Sequence, residues 1–228
     1  MSIVPGRFHG AISVAFVALF LSGSIVLAQR SGTSGADVYH IDSQRSDVHL
    51  LVYRDGVLST FGHNHVVSLK AFTGTIHLHP KLDQSRVVLE IPVDQLIVDD
   101  AVLRRQEGED FANQPSKDDI EGTRANMLGD ALLNSKRFPM IKVDGISGPV
   151  DANNSAMLDL TVQFVGREIK LKIPSTLKLQ SDHLEAAGEV ELSHNQLGLR
   201  PFSALLGSLR VAEQMKFKYL IRATKERK

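Results

Sequence analysis

The chain of 228 residues carries 26 Lys and Arg against 26 Asp and Glu, with 43% apolar residues and no cysteine. Formal neutrality argues against a nucleic-acid binder, whose affinity depends on an excess of cations facing phosphates. The missing cysteines exclude a disulfide framework, a thiolate nucleophile, an iron–sulfur cluster and a zinc ribbon, and the apolar content suits one domain with a sizeable core.

Arg7 is the only formally charged side chain before Arg30, and a short apolar run, Ala11 to Leu21, lies between them. With Val26 and Ala28 at the small-residue positions of a cleavage site, residues 1–28 read as a signal peptide and imply export to the periplasm or beyond. The alternative is an uncleaved N-terminal anchor, since Ala11 to Ala28 approaches the about 20 residues that cross a bilayer. Ser22, Gly23 and Ser24 dilute that stretch, and no stop-transfer charge cluster follows it. Residues 29–37, with Ser31-Gly-Thr-Ser-Gly35, read as a flexible leader, and residues 38–225 as the folded domain.

Within that domain the dominant signal has period two. Val48, Leu50 and Val52 alternate with His49, Leu51 and Tyr53; Phe72, Gly74, Ile76 and Leu78 form one face of the next clear strand. Val87, Leu89, Ile91 and Val93 follow, with Pro92 marking a bulge or an edge. Asp99 to Asp110 holds five acids with Arg104 and Arg105, and its charge density reads as a solvated connection. Ser116 begins a capping-box pattern with Asp118 and Asp119 in the first turn, and Ile120, Met127, Leu128, Ala131 and Leu132 recur at helical spacing until Phe138-Pro139 ends the element. Such a helix, inserted among strands, would plug or cap one barrel mouth.

Alternation then resumes in Leu158, Leu160, Val162 and Phe164, and in Ile169, Leu171 and Ile173 after the turn at Val165-Gly166. It continues in Leu184 to Leu192 after the turn at Ser181, and in Met215, Phe217, Tyr219 and Ile221. Strands joined by turns this short pair antiparallel with their neighbours, and closure hides the edges. The expected fold is therefore mainly β, an antiparallel barrel with one inserted helix.

The order of motifs resembles the YceI-like family of periplasmic lipid- or polyisoprenoid-binding proteins. The residues that carry the resemblance are Tyr39-His-Ile-Asp42, Phe61-Gly-His63 leading into Phe72-Thr-Gly74, and Phe138-Pro-Met-Ile141. Leu158 to Gly166, His194 to Leu199 and the Met215 to Ala223 strand complete the pattern, so the likeness covers residues 38–224. It implies an extended eight-stranded lipocalin-like barrel that holds a long apolar chain and has no catalytic residues. Two departures are Gly62-His-Asn-His65, richer in histidine than the family turn, and the looser Pro201 to Gly207 connection.

The inward faces contain no acid, which by itself suits an isoprenoid or acyl tail at about 0.8 kcal/mol per buried CH₂. Val48, Leu50, Val52, Leu89, Ile91, Leu160, Val162, Phe164, Leu171 and Phe217 are the candidate lumen residues; a solid packed barrel is the alternative. A phosphorylated head group would need a cation at the mouth, for which Arg104, Arg105 and Arg200 are candidates. His63 and His65, at i and i+2, would share a strand face and could hold zinc, copper or nickel, which gives a second reading as a metal-binding or redox-accessory protein. His77 and His79 repeat the spacing but fall on the face opposite Ile76 and Leu78. A distant third reading is an enzyme acting on a lipid, although no G-x-S-x-G elbow or glycine-rich phosphate loop is present. No cofactor is expected beyond the lipid ligand, with membrane contact during its exchange.

Overall fold

Each alternating segment forms a strand in the computed structural model, which describes residues 35–227. The strands are β1 (Asp37–Ile41), β2 (Asp47–Asp55), β3 (His65–Leu69), β4 (Thr73–Leu78), β5 (Arg86–Pro92), β6 (Leu96–Val98), β7 (Met140–Ser147), β8 (Ser155–Phe164), β9 (Arg167–Gln180), β10 (His183–Ser193), β11 (Ser203–Ala204) and β12 (Leu209–Lys225). Three helices, α1 (Ala101–Gln106), α2 (Glu109–Ala112) and α3 (Lys117–Leu128), lie between β6 and β7. The signal peptide and most of the leader read from the sequence lie outside the described residues.

Eight strands close the barrel, in the order β1-β4-β5-β7-β8-β9-β10-β12, and β12 returns to β1 through Tyr39↔Lys225 and Ile41↔Ala223. All of these pairings are antiparallel. Three further strands, β2, β3 and β6, continue the lines of β1, β4 and β5 after short interruptions at residues 42–46, 70–72 and 93–95, and pair with β12 and with one another. The barrel is thus extended at one end, called upper here.

Hydrogen bonding between strands is complete around the lower end but not the upper. The β9–β10 ladder runs from Gln180↔His183 only to Thr176↔Ala187. Pro174 then removes a donor from β9, and its carbonyl accepts instead from the Tyr219 hydroxyl at 2.7 Å. A Cβ on Gly188 would collide with that carbonyl and with the Tyr219 ring, so the close approach requires glycine there. β5 pairs with β7 as far as Pro92↔Met140, where β7 begins, and Val93 N donates to the Pro139 carbonyl at 2.9 Å; β6 beyond it is paired on one side only, with β3. The 194–202 connection packs beside the upper part of β9, where Arg167 donates to the Gly198 carbonyl at 3.2 Å.

The charge-rich segment is where the sequence reading needs correction. Asp100 caps α1 by accepting from Val102 N and Leu103 N at 3.0 Å, so the segment folds as two short helices rather than a solvated loop. Leu103 and Phe111 then bury Leu51 and Val66 on the outer face of the sheet, with Tyr53 edge-on to Phe111 at 5.5 Å. His49 is buried beside them, its ring nitrogens 3.0 Å from Asp47 and 3.1 Å from Glu107. The third helix begins at the expected capping box, but Gly129 ends it after Leu128, which leaves Ala131 and Leu132 in turns. It lies along β6 and turns Thr123, Asn126 and Met127 to the cavity wall.

Candidate functional site

The barrel interior is a cavity of about 1030 Å³, at the top of the usual range for ligand sites and large enough for roughly thirty waters by volume. Inward positions with little or no side chain, Gly145, Ala156 and Ala186, keep it from filling. A further mark of the void is that Leu50, Leu89, Leu160, Phe164, Leu171 and Phe217 point inward yet are only partly buried.

All ten side chains expected to face the lumen are on the cavity wall. Among the lining residues there is no Asp or Glu, whereas Arg54, Arg86, Arg200 and Arg210 contribute cationic side chains. Arg86 is paired with Asp144 at the lower end, and Arg210 with Asp55 at the upper. The outward residues of the same strands carry the compensating charge, as in Lys172 with Asp159 and Lys216 with Glu189. An apolar tube with cations toward its ends can take a long hydrocarbon and meet an anionic or hydrogen-bond-accepting head.

The proposed head-group arginines divide. Arg200 lines the upper end and is exposed. Arg105 is exposed on α1 and does not reach the cavity wall, so it is withdrawn. Arg104 is also withdrawn: only 2% exposed, it donates to Asp99 Oδ1 at 2.5 Å and to the Asn64 and Asn113 carbonyls at 2.6 Å each, while lying over the Phe111 ring. Its charge is spent inside the helix–sheet layer. Burial would raise the Asp99 carboxyl, but hydrogen bonds from His65 and Val66 N–H and the charge of Arg104 hold it below the usual carboxylate range.

His63 and His65 both reach the cavity wall, with ring centroids 6.4 Å apart. Each ring is directed to a different carboxylate, His65 Nδ1 to Asp99 at 2.6 Å and His63 Nε2 to Asp119 at 3.8 Å. Among the described residues no group of three or more His, Cys, Asp or Glu gathers as a metal cluster. The histidine-rich turn therefore connects the lumen to the buried Asp99–Arg104 pair.

Several lining residues were missed. Arg54 extends the alternation of Leu50 and Val52, and that period was its available signal. Thr123 and Asn126 share the helical face of Met127, at spacings that point three residues to one side. His194 gave no such signal: it is held at the wall by its N–H bond to the Glu213 carbonyl at 3.0 Å, a contact set by tertiary pairing.

No family model matches the chain, and a search of the curated proteins finds no match. Solved structures do match. Burkholderia cenocepacia BcnA superposes with a TM-score of 0.59 at 14% identity, over 81% of this chain and 99% of that one. A polyisoprenoid binding domain from Saccharophagus degradans, implicated in plant cell wall breakdown, gives 0.54 at 9% identity, over 82% and 98%. The Campylobacter jejuni YCEI protein gives 0.50 at 8% identity, over 71% and 85%. The chain shares their barrel fold, the one that the order of its motifs implied.

Proposed function

We propose that this chain is a YceI-like binding protein, exported and non-catalytic, that holds a polyisoprenoid or another long-chain amphiphilic lipid in its barrel. The observation that carries the reading is the acid-free cavity of about 1030 Å³, walled by aliphatic side chains over the length of the barrel. A void of that size, left dry and empty, forfeits dispersion contacts along its wall; an isoprenoid tail restores them and loses its own contact with water. That one structural neighbour is described as a polyisoprenoid binding domain supports the same class of ligand. Arg200 is the remaining candidate for the head group among those drawn from the sequence.

Native mass spectrometry of the protein isolated from the exported fraction tests ligand and processing together. The expected spectrum shows a chain shortened by removal of residues 1–28 and carrying a lipid that organic solvent extracts unchanged. A chain that carries no lipid, and takes up no isoprenoid alcohol or phosphate when offered one, rules the reading out. A retained N-terminus would favour the anchored alternative; among the described residues, no helix is long and apolar enough to cross a membrane.

A further inference from the structure

Eleven large apolar side chains are exposed on the described surface, and five of them, Val57, Phe61, Phe202, Leu205 and Leu206, belong to two neighbouring segments at the upper end. The segments are joined: Leu58 N donates to the Ser208 carbonyl at 2.8 Å, and a Cβ on Gly56 would strike that same carbonyl. Phe202 both lines the cavity and is half exposed, so the apolar patch is continuous with the lumen.

The backbone at the tip is strained in a way that folding does not repay. Leu205 and Leu206 take φ of 49° and 56°, the left-handed region that glycine favours, and Leu206 is fully exposed. A turn needing only that geometry would carry Gly or Asn. Leucine there exposes apolar surface to water and gains no packing, which points to a surface contact made outside the free protein. Arg54 and Arg200 lie on the cavity wall at this end, and neither has a carboxylate within salt-bridge distance among the described residues. Projecting leucines at the end that carries Arg200 and Arg54, the latter exposed although it also donates to the Gly62 carbonyl at 2.7 Å, complement an anionic bilayer: the side chains enter the acyl boundary and the arginines meet the head groups.

We infer that this rim docks the barrel on an anionic lipid surface, with the cavity mouth facing the membrane so that a lipid passes between bilayer and lumen. The inference rests on the lipid-holding reading above. The chain lacks tryptophan, so Leu206→Trp is a single reporter, with Leu179→Trp, exposed near the β9–β10 turn at the lower end, as its control.

With phosphatidylcholine vesicles containing phosphatidylglycerol, emission of L206W should shift blue and be quenched by brominated acyl chains, and L179W should not respond. Leu205→Ser/Leu206→Ser should weaken vesicle binding by about tenfold or more per leucine. The same variant should slow isoprenoid uptake from vesicles while leaving its uptake from detergent dispersion, and the urea midpoint, unchanged. No blue shift with these vesicles, or a shift that follows protein concentration and marks a second copy covering the leucines, overturns the inference. Vesicle binding without lipid uptake by either route would sink the cavity reading and leave the docking rim standing.

Discussion

Asp99 and Arg104 are both buried, and Asp99→Asn removes one charge while keeping an acceptor of the same shape. The Asn64 and Asn113 carbonyls still accept from the guanidinium, but no carboxylate balances it, and Arg104 Nε already lacks a partner. An uncompensated buried charge of this kind costs about 3–5 kcal/mol, against a total stability of about 5–15 kcal/mol for a domain. Asp99→Asn/Arg104→Met removes both charges at nearly conserved volume and should recover most of that loss. The pH dependence has a definite sign. Because the folded carboxyl lies below its unfolded value of about 3.9, its contribution is complete above that pH and is lost as pH falls through it toward the folded value. Urea unfolding from pH 7 to pH 3, followed by circular dichroism, should therefore show the parent losing an increment that the single variant never has. The reasoning fails if Asp99→Asn lies within about 1 kcal/mol of the parent at pH 7, or if the double variant is no more stable than the single one.

Gly145→Leu places a Cβ 2.5 Å from Leu160 Cδ2 and 2.7 Å from Val87 Cγ1 and drives a side chain into the lumen; at an overpacking cost of about 1–3 kcal/mol, it should lower the lipid occupancy seen by native mass spectrometry while the β circular-dichroism signal persists. Gly188→Ala should destabilise the fold by about 1–3 kcal/mol by pushing on Tyr219 and the Pro174 carbonyl, and Gly188→Ala/Tyr219→Phe should not restore it, because the backbone contact remains; an unchanged urea midpoint for the single variant would show that the strands separate freely. Arg200→Ala should reduce the preference for a phosphorylated isoprenoid over its alcohol, by about 1.5–3 kcal/mol if the guanidinium makes a charged hydrogen bond, measured as a ratio of dissociation constants; an unaltered ratio removes Arg200 from head-group recognition. His63→Ala/His65→Ala should match the parent in zinc titration, since the two rings face different carboxylates, and a markedly tighter parent would restore the metal reading.

The barrel was legible because each strand buries one face only, and period two records this directly. The lumen residues followed from the same count, which would also have reached Arg54 had it been carried two residues beyond Val52. What stayed hidden depended on contacts between distant segments. Asp99 to Asp110 is polar enough to stand alone in water; its helices exist because Leu103 and Phe111 meet Leu51 and Val66, residues far apart in the chain. Arg104 reads as a surface cation until Asp99 takes up the left-handed backbone, φ 58°, that turns its carboxylate toward it. Gly129 ends α3, and Ala131 and Leu132, counted from the sequence as helical, reach the cavity wall from turns instead.

Pro174 divides the container into two mechanical regimes. Around the base, continuous ladders fix neighbouring strands at about 4.8 Å, and the girth there cannot change without breaking hydrogen bonds. Above Pro174 the β9–β10 seam has no ladder and is bridged by side-chain contacts such as Tyr219 to the Pro174 carbonyl, which tolerate small adjustments of spacing. A stiff base and a compliant collar would grade the tolerance for guest shape along the axis, strict for the slender end of a molecule and permissive for the bulkier end. Amides of β10 that face the seam, those of Glu189 and Glu191, should accordingly exchange with solvent faster than those of Glu185 and Ala187, which face β9 within the ladder.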